Sequence, residues 1–391
     1  MAAQTKAATT MQQILTGCGS VAPHPHVAKV RRQLLKCRTA ANGYHLYQCG
    51  DKDCRHVAYQ YHSCRNRHCP QCGALKKEEW VEARRLELLP IKYYHVVFTL
   101  PHELNSIIMG NRAALFKLLF DASAQTLLTF GADTQYLGAT PGIISVLHTW
   151  GQQLSFHPHV HCIVSGGGMV QQQGDIRWVE GKKNDWRFLF PVKAMNQVFR
   201  GKFLQGLKSL INNQSVQPQA DVNMTDMIDL LYKKEWIVYA KQPFGGPEQV
   251  IEYLGRYTHK VAISNHRLQA YDTVAHKVTF EYKDYTDGGK QKQMVLHDIG
   301  FVRRFEQHIL PHRFTKIRSY GYLSNRGRRE RVNQILKTMD QPPHPPPIKI
   351  PWQVRLPERY GKQANECPCC HQPTLRLIAV VHPKAGRIES G

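Results

Sequence analysis

Along Phe156-His157-Pro158-His159-Val160-His161-Cys162-Ile163-Val164 the side chains alternate between apolar and polar, and a period of two fixes a strand. His159 and His161 then face one way, while Val160, Cys162 and Val164 face a core. Cys162 reads as a small buried hydrophobe. Two imidazoles aligned in this way suit one divalent ion. An isolated His-x-His pair is more often two hydrogen-bonded histidines in a sheet, so a third ligand is needed. His148, on the strand-like run from Gly142 to Trp150, would meet the pair across a hairpin. His157 shares their parity but is cut off by Pro158, and Gln152 is a weaker candidate. Gly166-Gly167-Gly168 would let a nucleic-acid backbone approach, or simply turn the chain.

The charge of the chain says what such a site would act on. Of 391 residues, 52 are Lys or Arg against 29 Asp or Glu, a formal charge of +23 that points to a polyanion. With no apolar run of about 18 residues, an anionic membrane is the poorer partner and nucleic acid the better one. Met1 to Ser20 lacks the charged and apolar regions of a secretory signal, so the expected location is the cytoplasm, associated with the nucleoid.

Seven of the eleven cysteines fall between Cys18 and Cys72 and three more between Cys367 and Cys370, a distribution that favours metal over disulfides. The economical arrangement is one Zn²⁺ held by two knuckles, Cys49 with Cys54 and Cys69 with Cys72. Cys37 and Cys64 are then surplus and, with a histidine, would complete a second site. Arg65 and Arg67 give this block a basic face suited to phosphates. Cys367-Pro368-Cys369-Cys370-His371 is half a knuckle, for which His371 or His382 would be a third ligand.

The organisation expected is α+β. Residues 1–25 form a flexible tail, 26–90 a zinc-binding domain with a connecting helix (about Ala74 to Leu89), and 91–300 a catalytic domain built on a largely antiparallel sheet. Residues 301–340 are a basic DNA-contacting segment, and 341–391 a Pro-rich linker with a small C-terminal cysteine knuckle. Within this frame Val27 to Leu35 and Ala113 to Phe130 read as helices; Tyr93 to Leu100, Glu235 to Ala240 and Val278 to Tyr282 read as strands.

A further helix opens at Pro247-Glu248 and carries Tyr253 and Tyr257 four residues apart, hence on one face, with Arg256 and Lys260 as neighbouring cations. Tyrosines so placed are more often packed in a core, hydroxyl outward. From Arg303 to Arg331 nine basic residues, among them Arg303, Arg304 and Arg318, interleave with Phe305, Phe314, Tyr320 and Tyr322. Such a mixture suits a single strand, with phosphates to neutralise and bases to stack. A solvated basic surface is the plainer account.

The combination of His159-Val160-His161, Tyr253-x3-Tyr257 and the block from Cys37 through Ser63-Cys64-Arg65-Asn66-Arg67-His68-Cys69-Pro70-Gln71-Cys72 resembles the HUH-type rolling-circle transposases with two tyrosines and an N-terminal zinc-binding domain, the insertion-sequence ninety-one type. The resemblance implies a single-strand endonuclease and strand transferase acting on element ends and target. Tyr253 and Tyr257 would be the nucleophiles, forming a 5′-phosphotyrosine link, and His159 and His161 would hold Mg²⁺ or Mn²⁺. Structural Zn²⁺ is implied for the cysteine block. A plasmid replication initiator or relaxase uses the same chemistry, and a non-catalytic zinc-dependent DNA-binding regulator would use only the binding. A tyrosine hydroxyl titrates near pH 10, so its proton needs an acceptor, and the sequence names none.

Overall fold

The computed structural model describes residues 9–19, 24–181, 189–244, 246–257, 261–346 and 365–383, with 351, 354, 363 and 388–390. Local rules start the chain. Thr10 and Gln13 form a reciprocal capping box for α1 (Met11–Gly17), and Met11, Ile14 and Leu15 are buried at helical spacing. Residues 11–17 of the expected flexible tail are therefore a helix: its apolar face had a core to enter. α2 (Pro25–Leu35) opens on proline at its first position. β1 (Tyr44–Cys49) and β2 (Val57–Tyr61) form a hairpin, and α3 (Ala74–Arg85) leads to β3 (Tyr93–Thr99).

After α4 (Asn105–Gly110), α5 (Arg112–Ala132) precedes β4 (Thr140–Trp150), β5 (Phe156–Gln172) and β6 (Asp175–Glu180). Then come α6 (Val192–Asn212), α7 (Met224–Lys233), β7 (Ile237–Phe244) and α8 (Pro247–Tyr257). The central sheet runs β4-β5-β3-β7 with antiparallel neighbours and β6 beside β5. One face is packed by α5 and α6. Val160, Cys162 and Val164 of β5 are fully buried there with Phe199 and Phe203, one turn apart on α6. The three glycines neither turn the chain nor open it. They lie within β5, where a Cβ on Gly167 would sit 2.4 Å from the Trp178 ring and one on Gly168 2.8 Å from Ala139 Cβ.

β8 (Leu268–Asp272), β9 (Lys277–Asp284) and β10 (Lys290–His297) form a separate sheet, so Val278 to Tyr282 lies outside the central one. α9 (Asp298–Glu306) packs on it, and together they share a core with Met11, Ile14, Val30, Leu34, Cys37 and Cys69. β11 (Ile317–Gly321) is the edge strand beside β4, followed by α10 (Arg328–Thr338). The stretch read as a basic DNA-contacting segment is thus packed into the body of the protein. Phe305 and Tyr322 are buried, because side chains on one face of each element must fill a core whatever cations lie between them.

Residues 341–346 carry neither helix nor strand. β12 (Leu375–Val381) then pairs antiparallel with β1, and β13 (Ile388–Ser390) with β12, giving a sheet of order β13-β12-β1-β2. The C-terminal segment is therefore no module of its own but completes the N-terminal sheet. Among the described residues no helix is long and apolar enough to cross a membrane.

The turn between β4 and β5 is held from outside. Leu154, at φ 59° and fully buried, offers its carbonyl to His308 Nε2 at 3.2 Å; Arg304 Nη1 donates to the Gln153 carbonyl at 3.1 Å; and Arg267 donates to that of Gln152. Thr149 Oγ1 lies 3.1 Å from His308 Nδ1 and donates to it, which makes His308 a neutral imidazole with both nitrogens used. Burial pushes His308 down to about 4; the Leu154 carbonyl pulls the other way and the Arg112 charge adds a smaller push downward. Between about pH 4 and the unperturbed value near 6.5 the unfolded chain holds the extra proton. Stability should therefore fall as pH drops through that window, by up to about 1.4 kcal/mol per pH unit from this residue. Urea midpoints taken from pH 7 to 4.5 should show that slope, and His308→Gln should reduce it by this residue's share.

Candidate active site and metal centres

The register of β4 against β5 places His148 directly across from His159. Ring centroids are 4.6 Å apart for His148 and His161, 4.9 Å for His159 and His161, and 5.5 Å for His148 and His159. One nitrogen from each lies within 4.8 Å of the other two. Hydrogen bonds orient the rings. His159 Nδ1 donates to the His157 carbonyl at 2.7 Å, leaving Nε2 with a lone pair, and His161 Nδ1 is 2.9 Å from His95 Nε2. His148 stacks on Trp150. His157 is outside the set, its ring exposed and its carbonyl serving His159; Gln152 is outside it too, its carbonyl serving Arg267.

α8 crosses this face of the sheet. Val250, Ile251 and Tyr253 pack with Tyr93, Ile144 and Ile163, and the Tyr253 hydroxyl comes to 2.7 Å from His95 Nε2 and 3.0 Å from His161 Nδ1. The hydroxyl donates to one ring and stays within reach of the other. Tyr257 ends the helix one turn on; its side chain and that of Arg256 lie outside the described residues, as does Lys260.

His95 is the member that sequence reasoning passed over. It is buried on β3, stacked on the His161 ring with planes 6° apart, and lies opposite Ile163 on one side and Lys241 on the other. Burial, then the Lys241 charge and His159, push it down to about 3, so it is neutral and its Nε2 is an acceptor. The one available signal was its parity within Tyr93 to Leu100, which puts it on the face of the other histidines.

That face is open beyond the site. His148, His159, Thr99 and Ile237 stand in one row across the strands, and Val146, His161, Val97 and Tyr239 in the next. Ile237 is 63% exposed and Tyr239 53%.

The cysteines sort differently from the expected set. Cys37, Cys64, Cys69 and Cys72 converge, with sulfurs 3.5 Å apart for Cys37 and Cys69 and 3.6 Å for Cys64 and Cys72. Cys49 and Cys54 do not join Cys69 and Cys72; they face Cys367 and Cys370. Neither group includes a histidine: His62 pairs with His45, and His371 with Glu366.

Of the cations expected to touch DNA, Arg303 is exposed on α9. Arg304 is committed to the Gln153 carbonyl. Arg318 lies 4.6 Å over the Phe120 ring, 5.4 Å over Phe314 and 3.8 Å from Asp121. Arg67 bonds the carbonyls of Pro311 and Phe314, tying the cysteine block to the body of the protein. Arg67, Arg304 and Arg318 are thus engaged by backbone carbonyls and aromatic faces, whereas Arg303, among the described residues, is not.

The family model described as "Putative transposase" matches residues 142–331, which hold the three histidines and both tyrosines; the model "Transposase zinc-binding domain" matches residues 7–100. A curated relative from Sinorhizobium fredii, "Putative transposase y4qJ", is 40% identical over 92% of each chain. The "Transposase for insertion sequence element IS801" of Pseudomonas savastanoi pv. phaseolicola is 29% identical over 75% of this chain and 69% of its own. A solved structure, the conjugative relaxase TrwC with oriT DNA in a metal-bound state, matches at 10% identity and a TM-score of 0.25, over 63% of this chain and 98% of that one. At 40% identity over nearly its full length, the chain belongs to the transposases of insertion sequences of the IS91 type.

Proposed function

We propose that this transposase is an HUH-type enzyme that nicks and rejoins single-stranded DNA through a 5′-phosphotyrosine intermediate. The observation that carries the reading is the Tyr253 hydroxyl, at hydrogen-bond distance from a neutral buried histidine and beside three convergent imidazoles. Tyr253 Oη attacks the scissile phosphorus, the P–O3′ bond breaks, and the 3′ oxygen leaves to take a proton from water. The hydrogen bond to His95 Nε2 holds and aims the Tyr253 hydroxyl, whose proton is lost to water as the bond to phosphorus forms. Attack by the free 3′ hydroxyl reverses the step, because the phosphotyrosine ester conserves the bond. The buried ring of His95 also fixes His161 with Nε2 outward.

His148, His159 and His161 fit a divalent cation, each offering one nitrogen on a common side. With imidazoles alone in that group, Mn²⁺ suits it better than Mg²⁺. Bound there, the ion supplies Lewis-acid polarisation of a non-bridging phosphate oxygen. Cys37, Cys64, Cys69 and Cys72 are the zinc ligands of the N-terminal domain on this reading, since their sulfur spacing is that of a tetrahedral thiolate site. The open rows that end in Ile237 and Tyr239 offer a stacking surface to bases on either side of the cut.

Incubation with labelled single-stranded DNA carrying the element's end and Mn²⁺ should give a covalent adduct on denaturing gels. Tyr253→Phe combined with Tyr257→Phe should abolish it; an undiminished adduct would mean that another group attacks. His161→Ala should lower adduct formation by about 100-fold or more, and should lower Mn²⁺ affinity in calorimetry, while circular dichroism stays unchanged. Retained Mn²⁺ affinity would remove His161 from the metal set. Tyr239→Ala should weaken single-strand binding by about 1–3 kcal/mol in fluorescence anisotropy at fixed salt, leaving Mn²⁺ binding untouched.

A further inference from the structure

We propose that Cys49, Cys54, Cys367 and Cys370 bind a second zinc ion, which fastens the C-terminal segment to the N-terminal domain. The zinc-binding domain as matched, residues 7–100, contains, besides Cys18, the six cysteines Cys37, Cys49, Cys54, Cys64, Cys69 and Cys72. Four of these six sulfurs form one group among themselves, and the remaining two meet their partners at the far end of the chain.

The geometry is that of a thiolate tetrahedron. With Zn–S near 2.3 Å, sulfurs at the corners stand about 3.8 Å apart. Cys49 and Cys370 are at 3.7 Å, and Cys54 and Cys367 at 3.8 Å, nearly twice the length of a disulfide bond. Backbone hydrogen bonds hold both pairs. Asp51 Oδ1 accepts from the Asp53 and Cys54 amides, shaping the turn that returns Cys54 toward Cys49. On the other side the Cys367 amide donates to the Gln372 carbonyl and the His371 amide to the Cys367 carbonyl, closing a tight turn around Cys370. Thr374 Oγ1, 3.0 Å from Cys49 Sγ, is placed to donate to a thiolate. The β1–β12 register, with Cys49 opposite Leu375, brings the two turns together.

Four soft thiolates in a tetrahedral set select zinc. Loading it onto the thiols releases four protons and leaves a site of net charge −2. The two zinc sites then differ in when they can form. The first is complete once residue 72 has been made, whereas the second waits for Cys370, so the N-terminal sheet gains its third strand only when nearly the whole chain exists. A copy cut short before residue 367 would keep His148, His159, His161 and both tyrosines, yet lack half of this site and the strand beside β1.

The test uses the full-length protein purified without chelators. Elemental analysis should give two zinc ions per chain, and Cys367→Ser with Cys370→Ser should reduce this to one. In that variant iodoacetamide should label Cys49 and Cys54 while Cys37, Cys64, Cys69 and Cys72 stay protected. One zinc in the wild type, two in the variant, or continued protection of Cys49 and Cys54 would overturn the proposal. Should the variant fail to fold, labelling of the wild type decides alone, with exposed Cys369 as the internal reference. Cys367 and Cys370 should react at least about tenfold more slowly than Cys369, and a chelator titration should release them together with Cys49 and Cys54. Labelling of Cys367 and Cys370 at the rate of Cys369 in zinc-loaded protein would sink the idea.

Discussion

His148 stands opposite His159, and the rest of the site depends on that register. It is not set by the histidines. On the reverse face Ile143 and Leu147 of β4 and Val160, Cys162 and Val164 of β5 are all but inaccessible to water, packed under α5 and α6. A slip of one residue would bring the imidazoles into that core and turn the aliphatic side chains out, at roughly 1.5–3 kcal/mol for each large apolar group exposed. The hydrophobic face of the sheet therefore selects which nitrogens meet on the polar one. The same rows carry the alignment across β3 to β7, so the open surface of Ile237 and Tyr239 is in register with the histidines for the same reason.

Tyr253 is brought to this array by packing on the other side. Val250 and Ile251 anchor α8 among Tyr93, Ile144 and Ile163, and the next turn carries the hydroxyl to His95. His95 Nδ1 is buried without a hydrogen-bond partner among the described residues, a cost of about 1–3 kcal/mol. Such a cost is understandable if the other nitrogen is needed as an acceptor, since a neutral ring that accepts at Nε2 must carry its hydrogen on Nδ1.

What was legible in the sequence follows the range of the interactions. Strand parity is local, so the orientation of His159 and His161 was plain, and a hairpin keeps His148 near them. The capping box and the spacing of Met11, Ile14 and Leu15 were equally local, but a small polar composition around them concealed the helix. The cysteine partition was not legible, because what separates Cys49 and Cys54 from Cys69 and Cys72 is a strand pairing with residues 375–381. His95 was hidden for a different reason: one histidine in an apolar strand looks the same whether it fills space or faces a tyrosine hydroxyl. The stretch from Arg303 to Arg331 was legible only in part, because composition does not say which side chains point inward; Phe305 and Tyr322 do, Arg304 and Arg318 serve carbonyls and rings, and Arg303, Arg313, Arg326 and Arg329 stay exposed.

These interior uses of cations explain how the cysteine-rich domain and the histidine array come to act as one body. The carbonyls of Gln152, Gln153 and Leu154, at the tip of the hairpin bearing the histidines, are held by Arg267, Arg304 and His308. Leu154 itself lies in the core shared by α1, α2, Cys37 and Cys69. Trp150, stacked on His148, also packs against that core and lies under the Lys316 ammonium. A left-handed Leu154 costs about 1 kcal/mol or more, and it persists because its side chain is buried in the core that the cysteine domain shares with β8, β9 and α9. The turn that leads into β5 is thus restrained by packing whose other side rests on Cys37 and Cys69. Loosening those sulfurs would reach the imidazoles through Leu154 and Trp150 without any change in the residues of the site.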